Sequence, residues 1–373
     1  MHRTARLALV SALAVTAFLV TAAPGMAAGG EGRGGAVYTL TNSPSGNAVA
    51  VFDRAGDGSL SPQGTVPTGG AGTGAGLGSQ GALVLDHRRL FAVNAGSNTI
   101  SALRVRRGNE VSLTDVARSR GVNPISLTVR GHLLYVLNAG DASRPANIHG
   151  FLVLFGQLVS LPGSSRPLST ASPGPAQIEF TPDGRQLVVT EKTTNRILTY
   201  RVGRFGYAGA PNAQPSAGQT PFGFAFDKRG HLIVSEAFGG APDASVLSSY
   251  RVASDGTISP LDPNVATTET AACWVVVTKN GRYTYTTNTG SNSISGYAIG
   301  SDGSLTLLDA DGRTAVTGAG PIDAALSRGS RFLYTLDGGA REISGFSVAS
   351  DGSLAPLGAV GGLPAGAAGL AAS

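Results

Sequence analysis

Residues 282–305 read RYTYTTNTGSNSISGYAIGSDGSL. Aromatic and β-branched residues alternate with polar ones on both sides of a polar tip at residues 288–292, and an Asp-Gly turn follows at Asp302. This pattern, bounded by Gly, Asn and Asp, is typical of antiparallel strands joined by short loops. Variants of it recur along the chain, which predicts a protein built from repeats.

Each repeat contains four predicted strands: an inner strand, a second strand that ends in Asn, Glu or Asp, a third strand, and a fourth. The inner strands are predicted at residues 80–85, 124–129, 175–180, 221–226, 272–277 and 321–326. The second strands end at Asn94, Asn138, Glu191, Glu236, Asn288 and Asp337, with gaps of 44, 53, 45, 52 and 49 residues. Such spacing suits four-stranded units of about 40 to 50 residues.

The two ends of the chain complete one another. Residues 36–42, 48–52 and 59–66 form a unit without an inner strand, whereas residues 364–372 resemble an inner strand with no unit after it. We therefore predict an all-β fold, a seven-bladed β-propeller of four-stranded antiparallel blades whose first blade is closed by the N- and C-terminal strands. Closure of this kind removes exposed sheet edges.

Residues 1–28 are predicted to be a Sec-type signal peptide, which leaves residues 29–373 as one secreted propeller domain. Arg3 and Arg6 precede an apolar run at residues 7–20, and small residues follow it. The run of about 14 residues is too short to span a bilayer. We therefore expect an extracellular protein with no membrane partner after cleavage.

Charge and cysteine content exclude other classes. The chain has 28 basic and 23 acidic residues, and removal of the two signal-peptide arginines leaves 26 against 23, which is too small an excess for nucleic-acid binding. Arg104, Arg106 and Arg107 are the one dense basic group and are predicted to lie on a solvated edge. Cys273 is the sole cysteine, so we expect no intramolecular disulfide and an inert, buried thiol.

Antiparallel connectivity places candidate site residues on one face of the propeller. The starts of inner strands and the ends of second strands share a face, so polar side chains there should surround one mouth of the central channel, the default binding site. The residues concerned are Asn94, Asn138, Glu191, Glu236, Asn288, Asp337, Gln177, Trp274 and Asp323.

Glu236 and Glu191 are the predicted catalytic residues, because Glu forms turns poorly and a carboxylate among acidic neighbours could act as a general base. The other seven residues are predicted to bind substrate, with Trp274 either stacking on a ring or plugging the channel. The alternative is that the strand-end residues only cap turns. No cofactor is expected and no metal ligand is assigned; Ca²⁺ held by the ring of oxygen ligands is the remaining cofactor alternative.

The Gly-rich run at residues 69–81 includes GLGSQG, a formal GxGxxG, at residues 76–81. It opens a strand and not a helix, which excludes dinucleotide binding. As a connection on the mouth side, the run acts either as a spacer or as a lid. Histidines add little, since His87, His132 and His231 fall in predicted turns and His149 begins a third strand.

The chain resembles the lactonase family of seven-bladed propellers, which includes 6-phosphogluconolactonases and carboxymuconate cyclases. The resemblance is carried by GPAQIEFTPDGR at residues 174–185, GPID at residues 320–323, the recurrent Ser-x-Asp-Gly turns and the split first blade. It implies that a lactone ring opens or closes at the channel mouth, using an acid from a second-strand tip with His and Arg from inner-strand starts. Glu236 matches the acid, but Gln177 stands where the resemblance implies His, and Phe222-Gly223 where it implies Arg-His.

Without those residues the anion clamp is missing, so a phosphorylated or tricarboxylate substrate is not expected. The sequence thus predicts an exported, monomeric, lactonase-like hydrolase acting on a neutral lactone. The alternative is a non-catalytic propeller that binds a partner such as a glycan at the cell surface or outside the cell.

Overall fold

The structure is a computed structural model that describes residues 34–373. The predicted signal peptide lies outside the described residues. Within residues 34–373 no helix is long and apolar enough to cross a membrane.

The described chain is almost entirely β-structure, with thirty strands and two short 3₁₀-helices at Arg107–Asn109 and Phe238–Gly240. The strands are β1 (Gly35–Leu40), β2 (Ala48–Arg54), β3 (Leu60–Pro67), β4 (Leu83–Asp86), β5 (Arg89–Asn94), β6 (Thr99–Val105), β7 (Val111–Arg118), β8 (Pro124–Arg130), β9 (Leu133–Asn138), β10 (Asn147–Leu154), β11 (Gln157–Ser160), β12 (Arg166–Pro167), β13 (Pro175–Phe180), β14 (Gln186–Glu191), β15 (Arg196–Arg201), β16 (Asn212–Pro215), β17 (Pro221–Phe226), β18 (His231–Glu236), β19 (Val246–Val252), β20 (Ile258–Ala266), β21 (Ala272–Val277), β22 (Tyr283–Asn288), β23 (Ser293–Ile299), β24 (Leu305–Leu307), β25 (Ala315–Val316), β26 (Pro321–Leu326), β27 (Phe332–Asp337), β28 (Glu342–Val348), β29 (Leu354–Gly361) and β30 (Ala368–Ala372).

These strands form seven antiparallel sheets, the blades of a β-propeller, as the repeats predicted. Blade 1 is β30-β1-β2-β3, blade 2 is β4-β5-β6-β7, blade 3 is β8-β9-β10-β11 with β12 also on β10, blade 4 is β13-β14-β15-β16, blade 5 is β17-β18-β19-β20, blade 6 is β21-β22-β23-β24 with β25 also on β23, and blade 7 is β26-β27-β28-β29.

Blade 1 joins the two ends of the described chain. In it β30 pairs antiparallel with β1, from Val37 opposite Ala372 to Leu40 opposite Ala368. The Ser373 backbone N–H donates to the Ala36 carbonyl at 2.9 Å, which extends the ladder by one bond. The predicted closure of the first blade is therefore confirmed.

The apolar core lies between neighbouring blades. Phe91 and Leu103 of blade 2 and Phe151 and Val153 of blade 3 belong to one buried cluster, each at most 2 % exposed. Each such side chain contributes about 1.5 to 3 kcal/mol through burial. Every sheet packs both of its faces against neighbouring sheets, so a strand in the core does not need to alternate apolar and polar residues. Alternation is needed only where a strand also contacts the polar connections.

Turns between third and fourth strands hold neighbouring blades together. Each blade has one glycine there with a positive φ between 74° and 94°, a backbone shape that glycine adopts without steric cost. The carbonyl of each accepts a hydrogen bond of 2.6–3.2 Å from a side chain of the preceding blade, an arrangement we call the turn latch. The seven donor and glycine pairs are Tyr334 to Gly58, Gln63 to Gly108, Thr114 to Gly156, Tyr135 to Gly206, Thr199 to Gly256, Ser249 to Gly303 and Tyr285 to Gly352.

Two predicted inner strands are longer in the sequence than in the structure. The strand predicted at residues 80–85 is β4 at Leu83–Asp86, because Gly81 turns the backbone with φ +82°. The strand predicted at residues 364–372 is β30 at Ala368–Ala372, because Pro364 to Ala367 form a hydrogen-bonded turn.

The antiparallel order gives the propeller two distinct faces. The mouth face carries the starts of inner strands, the loops between second and third strands, and the connections between blades. The hairpin face carries the turns between first and second strands, which we call inner hairpins, and the turns between third and fourth strands.

Candidate functional site

The six second-strand tips on the mouth face are all fully buried. Asn94, Asn138, Glu191, Glu236, Asn288 and Asp337 are each 0 % exposed. Their side chains do not line the cavities described below. Most of them instead form hydrogen bonds with the connection that leads from the outer strand of the preceding blade into their own blade.

Glu236 shows this arrangement most completely. Its carboxylate accepts hydrogen bonds from the Ser216 hydroxyl at 2.6 Å, the Gly218 N–H at 3.0 Å, the Ser248 hydroxyl at 2.5 Å and the Tyr250 hydroxyl at 2.7 Å. Ser216 and Gly218 belong to the connection between β16 and β17. Both carboxylate oxygens are thus engaged, and in this structure Glu236 fastens the connection to its blade. Its predicted catalytic role stays a prediction.

Glu191 and Asp337 repeat the same contact. Glu191 accepts the Ser169 N–H at 2.9 Å and also the hydroxyls of Ser169 and Thr194. Asp337 accepts the Gly318 N–H at 2.9 Å, and burial raises its pKa to about 6. The three carboxylates therefore lie in separate blades, each on its own connection.

Two of the asparagine tips do the same with an amide, whereas the third bonds within its own blade. The Asn94 carbonyl oxygen accepts the Thr68 hydroxyl at 2.7 Å, and the Asn138 amide donates to the Ser119 carbonyl at 3.3 Å. Asn288 donates at 2.9–3.0 Å to two serine hydroxyls of β23. These contacts match the alternative in which strand-end residues hold turns and connections.

The Gly-rich run fills the mouth of the channel. Gln80 crosses from blade 2 to blade 6, where its amide donates to the Val275 carbonyl at 2.8 Å and accepts the Val275 N–H at 3.1 Å. The Gln80 N–H donates to Ala176 of blade 4 at 3.1 Å, and the Ser79 hydroxyl donates to Ile125 of blade 3 at 2.8 Å. Residues 78–81 thus form a plug, a role that differs from both the spacer and the lid expected from the sequence.

Trp274 and Lys192 hold the plug from the mouth side. The Trp274 indole N–H donates to the Ser79 carbonyl at 3.1 Å, and its ring lies 4.9 Å from that of Phe222. The Lys192 ammonium donates to the Gly78 carbonyl at 2.5 Å and lies over the Phe222 ring, and burial lowers its pKa to about 8. Trp274 is only 4 % exposed, so of its two predicted roles the structure places it in the plug.

Below the plug, the channel contains a cavity of about 320 Å³. Gln80, Thr128, Gln177, Glu179 and Asp323 supply its polar lining, together with apolar residues of the inner strands. Gln177 and Asp323 are thus the two predicted binding residues that the structure brings to a common cavity. No Lys, Arg or His is among its lining residues.

Glu179 is the distinctive group in this cavity. Its carboxylate accepts the Gln177 amide at 3.1 Å, while the Gln177 amide also bonds Phe224 of the next blade in both directions, at 2.9 and 2.7 Å. Burial without a basic partner raises the pKa of Glu179 to about 8. A half-buried carboxyl with such a pKa can exchange a proton near neutral pH.

Asp323 lies in the same cavity at 2 % exposure. It accepts the Ala324 N–H at 2.8 Å, yet burial raises its pKa well above the usual value. Burial thus favours the protonated form of this carboxyl, which can donate a hydrogen bond or a proton.

A second cavity of about 390 Å³ lies on the hairpin face and shares Thr128, Val129 and Glu179 with the first. Glu179 thus stands between the channel interior and the hairpin face. The open approach to the channel is therefore on the face opposite to the one that the sequence favoured. Sequence analysis missed Glu179 because its pKa depends on burial in the closed ring, although the sequence shows a lone acid between the apolar Ile178 and Phe180 of an inner strand.

Other candidate groups are engaged elsewhere. His149 is buried between the hydroxyls of Ser165 and Ser160, at 2.7 and 2.9 Å, and burial lowers its pKa to about 4. Cys273 is buried as predicted, and its pKa is raised to about 12. In the part of the chain that the structure describes, no group of three or more His, Cys, Asp or Glu could hold a metal ion.

The fold and the channel define a seven-bladed β-propeller with an axial cavity that is plugged at the mouth and approached from the hairpin face. The family described as "Lactonase, 7-bladed beta-propeller" matches residues 155–269 and 244–367, more than half of the chain. The chain therefore belongs to this lactonase family. No curated protein matches the sequence significantly.

Solved structures share the fold at low sequence identity. A putative 6-phosphogluconolactonase from Bacteroides fragilis is 17% identical with a TM-score of 0.68, over 90% of this chain and 97% of that one. A periplasmic gluconolactonase from Pseudomonas aeruginosa is 18% identical with a TM-score of 0.70, over 90% and 98%. A protein from Lactobacillus plantarum is 17% identical with a TM-score of 0.73, over 91% and 99%. At these identities the likeness shows the fold alone.

Replacing Glu236 with Gln should destabilise the fold. The new amide N–H₂ would face hydroxyl and N–H donors, so buried donors lose their acceptor, at about 1 to 3 kcal/mol in total. Urea denaturation should show a lower free energy of unfolding. Exposed Glu110→Gln, which removes only a surface pair with Arg106, is the matched control and should change stability by less than about 1 kcal/mol. Equal stability of the two variants would contradict this assignment.

Stability should fall as the pH rises from about 4.5 to about 8, because Glu179 binds its proton more tightly in the folded state than in the unfolded state. Below pH 4.5 both states are protonated and this contribution is complete; above pH 8 it is lost. Glu179→Gln removes this titrating group, so the free energy of unfolding of the variant should decline less above about pH 6. The difference should be roughly 3 kcal/mol, allowing for channel water. Urea titrations across this pH range test it, and an unchanged slope in the variant would contradict it.

Proposed function

We propose that this protein is an exported lactonase-like hydrolase that opens a small neutral lactone inside the channel, with Glu179 as general base. The observation that carries the proposal is the 320 Å³ cavity in which Gln177, Glu179 and Asp323 meet. Its volume lies at the lower end of the range of about 300 to 1,000 Å³ for small-ligand pockets. Membership of the lactonase family supports the reaction class.

The reaction needs a base, an oxyanion donor and an acid. The ionised Glu179 carboxylate removes a proton from a water molecule, and the resulting hydroxide adds to the lactone carbonyl carbon. The Thr128 hydroxyl, which lines both cavities, donates to the carbonyl oxygen as negative charge develops there. The ring C–O bond then breaks, and protonated Asp323 gives its proton to the departing oxygen.

The cavity lining also supports a neutral substrate. It contains two carboxyls, two amides and a hydroxyl but no cationic side chain, so a phosphate or carboxylate on the substrate would lose its water without a compensating cation. This agrees with the missing His and Arg at the inner-strand starts. Substrate enters through the hairpin-face cavity, since the plug occupies the mouth.

Activity on a sugar δ-lactone should depend on Glu179 and on its ionisation. Glu179→Gln should lower kcat/KM by at least about 100-fold, the typical contribution of a general base. In the unaltered protein kcat/KM should rise about tenfold per pH unit up to about pH 8 and then level off. Ring opening can be followed by pH-stat at fixed ionic strength, with the spontaneous rate subtracted.

Glu236→Gln and Glu110→Gln serve as comparison variants in this assay. Turnover per folded molecule should survive in both, because Glu236 is engaged by four donors. If Glu236→Gln abolished turnover while Glu179→Gln retained it, the tip carboxylate predicted from the sequence would be the base. If Glu179→Gln kept both the activity and the pH dependence of the unaltered protein, the channel site would be wrong.

A second candidate, a non-catalytic propeller that binds a glycan, is favoured by the plug and by the burial of the strand-tip carboxylates. It expects saturable binding of a neutral oligosaccharide, with no product formed, as measured by isothermal titration calorimetry. Trp274 holds the plug that fills the channel mouth, so Trp274→Ala should release the plug and abolish binding at the mouth. It should also lower the free energy of unfolding by about 3 to 5 kcal/mol. Val316→Ala, at a side chain 69% exposed, is the control. Product formation, or binding that Trp274→Ala leaves intact, would exclude this candidate.

A further inference from the structure

The hairpin face carries a large arginine-rich patch. Three cavities of about 580, 570 and 410 Å³ adjoin one another there and all include Arg88. Their lining contains no Asp or Glu. The basic residues that line them, which we call the Arg88 patch, are Arg54, His87, Arg88, Arg89, Arg104, Arg106, Arg107, His132 and Arg328.

The repeat explains why these residues meet. Arg88 and Arg328 follow the inner strands of blades 2 and 7 by two residues each, so the ring places both in inner hairpins. Arg107 lies in the turn between the third and fourth strands of blade 2, on the same face. Residues far apart in the sequence thus form one surface, whereas the sequence predicted only a solvated edge at Arg104, Arg106 and Arg107.

Much of this charge is uncompensated. Arg88, Arg104, Arg107 and Arg328 are exposed, and none takes part in an ion pair among residues 34–373. Guanidinium groups bind phosphate oxygens in a two-pronged geometry and lose their hydration more readily than ammonium groups. The surface is therefore suited to phosphate groups.

An apolar feature lies within the same patch. The 570 Å³ cavity is a cleft between blades 2 and 3 whose floor includes Phe91, Leu103 and Val153, and whose rim includes Arg88 and the turn residue Phe155. Phe155 is 107% exposed. Arginines beside a projecting aromatic ring are the combination found where proteins meet the headgroup layer of a membrane.

We propose that the Arg88 patch docks this protein onto a membrane surface rich in anionic phospholipid. The arginines bind lipid phosphates, and Phe155 enters the headgroup layer beside the apolar cleft. A soluble phosphate polymer would satisfy the arginines but would leave the exposed Phe155 ring without a partner, so the lipid surface fits better. The hairpin-face opening of the channel is lined by residues of blades 3 to 6. None of these residues belongs to the Arg88 patch, although the two sites meet at the inner hairpin of blade 3.

Vesicle co-sedimentation tests the proposal. The assay uses the chain from Gly29 onward, because the seven sheets are made by residues from Gly35 onward. This chain should bind vesicles of phosphatidylglycerol and phosphatidylcholine in equal amounts, but not pure phosphatidylcholine, and binding should weaken between about 0.05 and about 0.5 M NaCl. Arg88→Glu with Arg328→Glu should lower the partition coefficient at least about 20-fold, given about fivefold for each arginine near an anionic surface.

Matched variants decide between outcomes. Arg118→Glu makes the same charge change as Arg88→Glu alone, but at the mouth-face end of an outer strand, and should leave binding within about twofold, whereas Phe155→Ser should weaken it severalfold. Equal losses in the Arg88/Arg328 and Arg118 variants would overturn the proposal, as would absence of binding to the anionic vesicles. If inorganic polyphosphate bound as tightly as the vesicles and Phe155→Ser had no effect, the patch would be a soluble-polyanion site and membrane docking would be excluded.

Discussion

The propeller depends on one hydrogen bond repeated at each of its seven blade junctions. The turn latch joins the carbonyl of a left-handed glycine in one blade to a side-chain donor of the preceding blade. At Gly58 an added Cβ would lie 2.5 Å from the Phe332 ring, so both the backbone shape and the close approach require glycine. Hydrophobic contact between sheets is not directional, whereas the latch fixes how far each blade rotates relative to its neighbour.

The strand tips form a second set of junctions on the mouth face. Glu236 and Asn94 differ in chemistry, yet both bond the connection arriving from the preceding blade. Acid and amide can replace one another along this ring because a connection offers both N–H and hydroxyl donors. The variation among tips that suggested catalysis thus fits a common structural task, and the two carboxyls that share the channel cavity, Glu179 and Asp323, lie one layer deeper.

Much of the fold could be predicted from the sequence because each blade repeats the same strand and turn pattern. The split first blade followed from two incomplete ends. The plug could not be predicted, since a Gly-rich run such as residues 69–81 has many accessible conformations and only contacts with distant residues such as Trp274 select one. Antiparallel connectivity gave the correct face for Glu236 but not the direction of its side chain. The protonation of Glu179 and the grouping of arginines around Arg88 both require the closed ring.

Closure of blade 1 has a consequence for synthesis and transport. Ala36 and Ser373 hydrogen-bond across 337 positions of sequence, so β1 has no inner partner until nearly the whole chain has been made. For that time its edge can pair with other strands, and contacts of such range form slowly. Until then the blade-1 edge stays open, and loss of the last strand would leave a ring that opens at one seam.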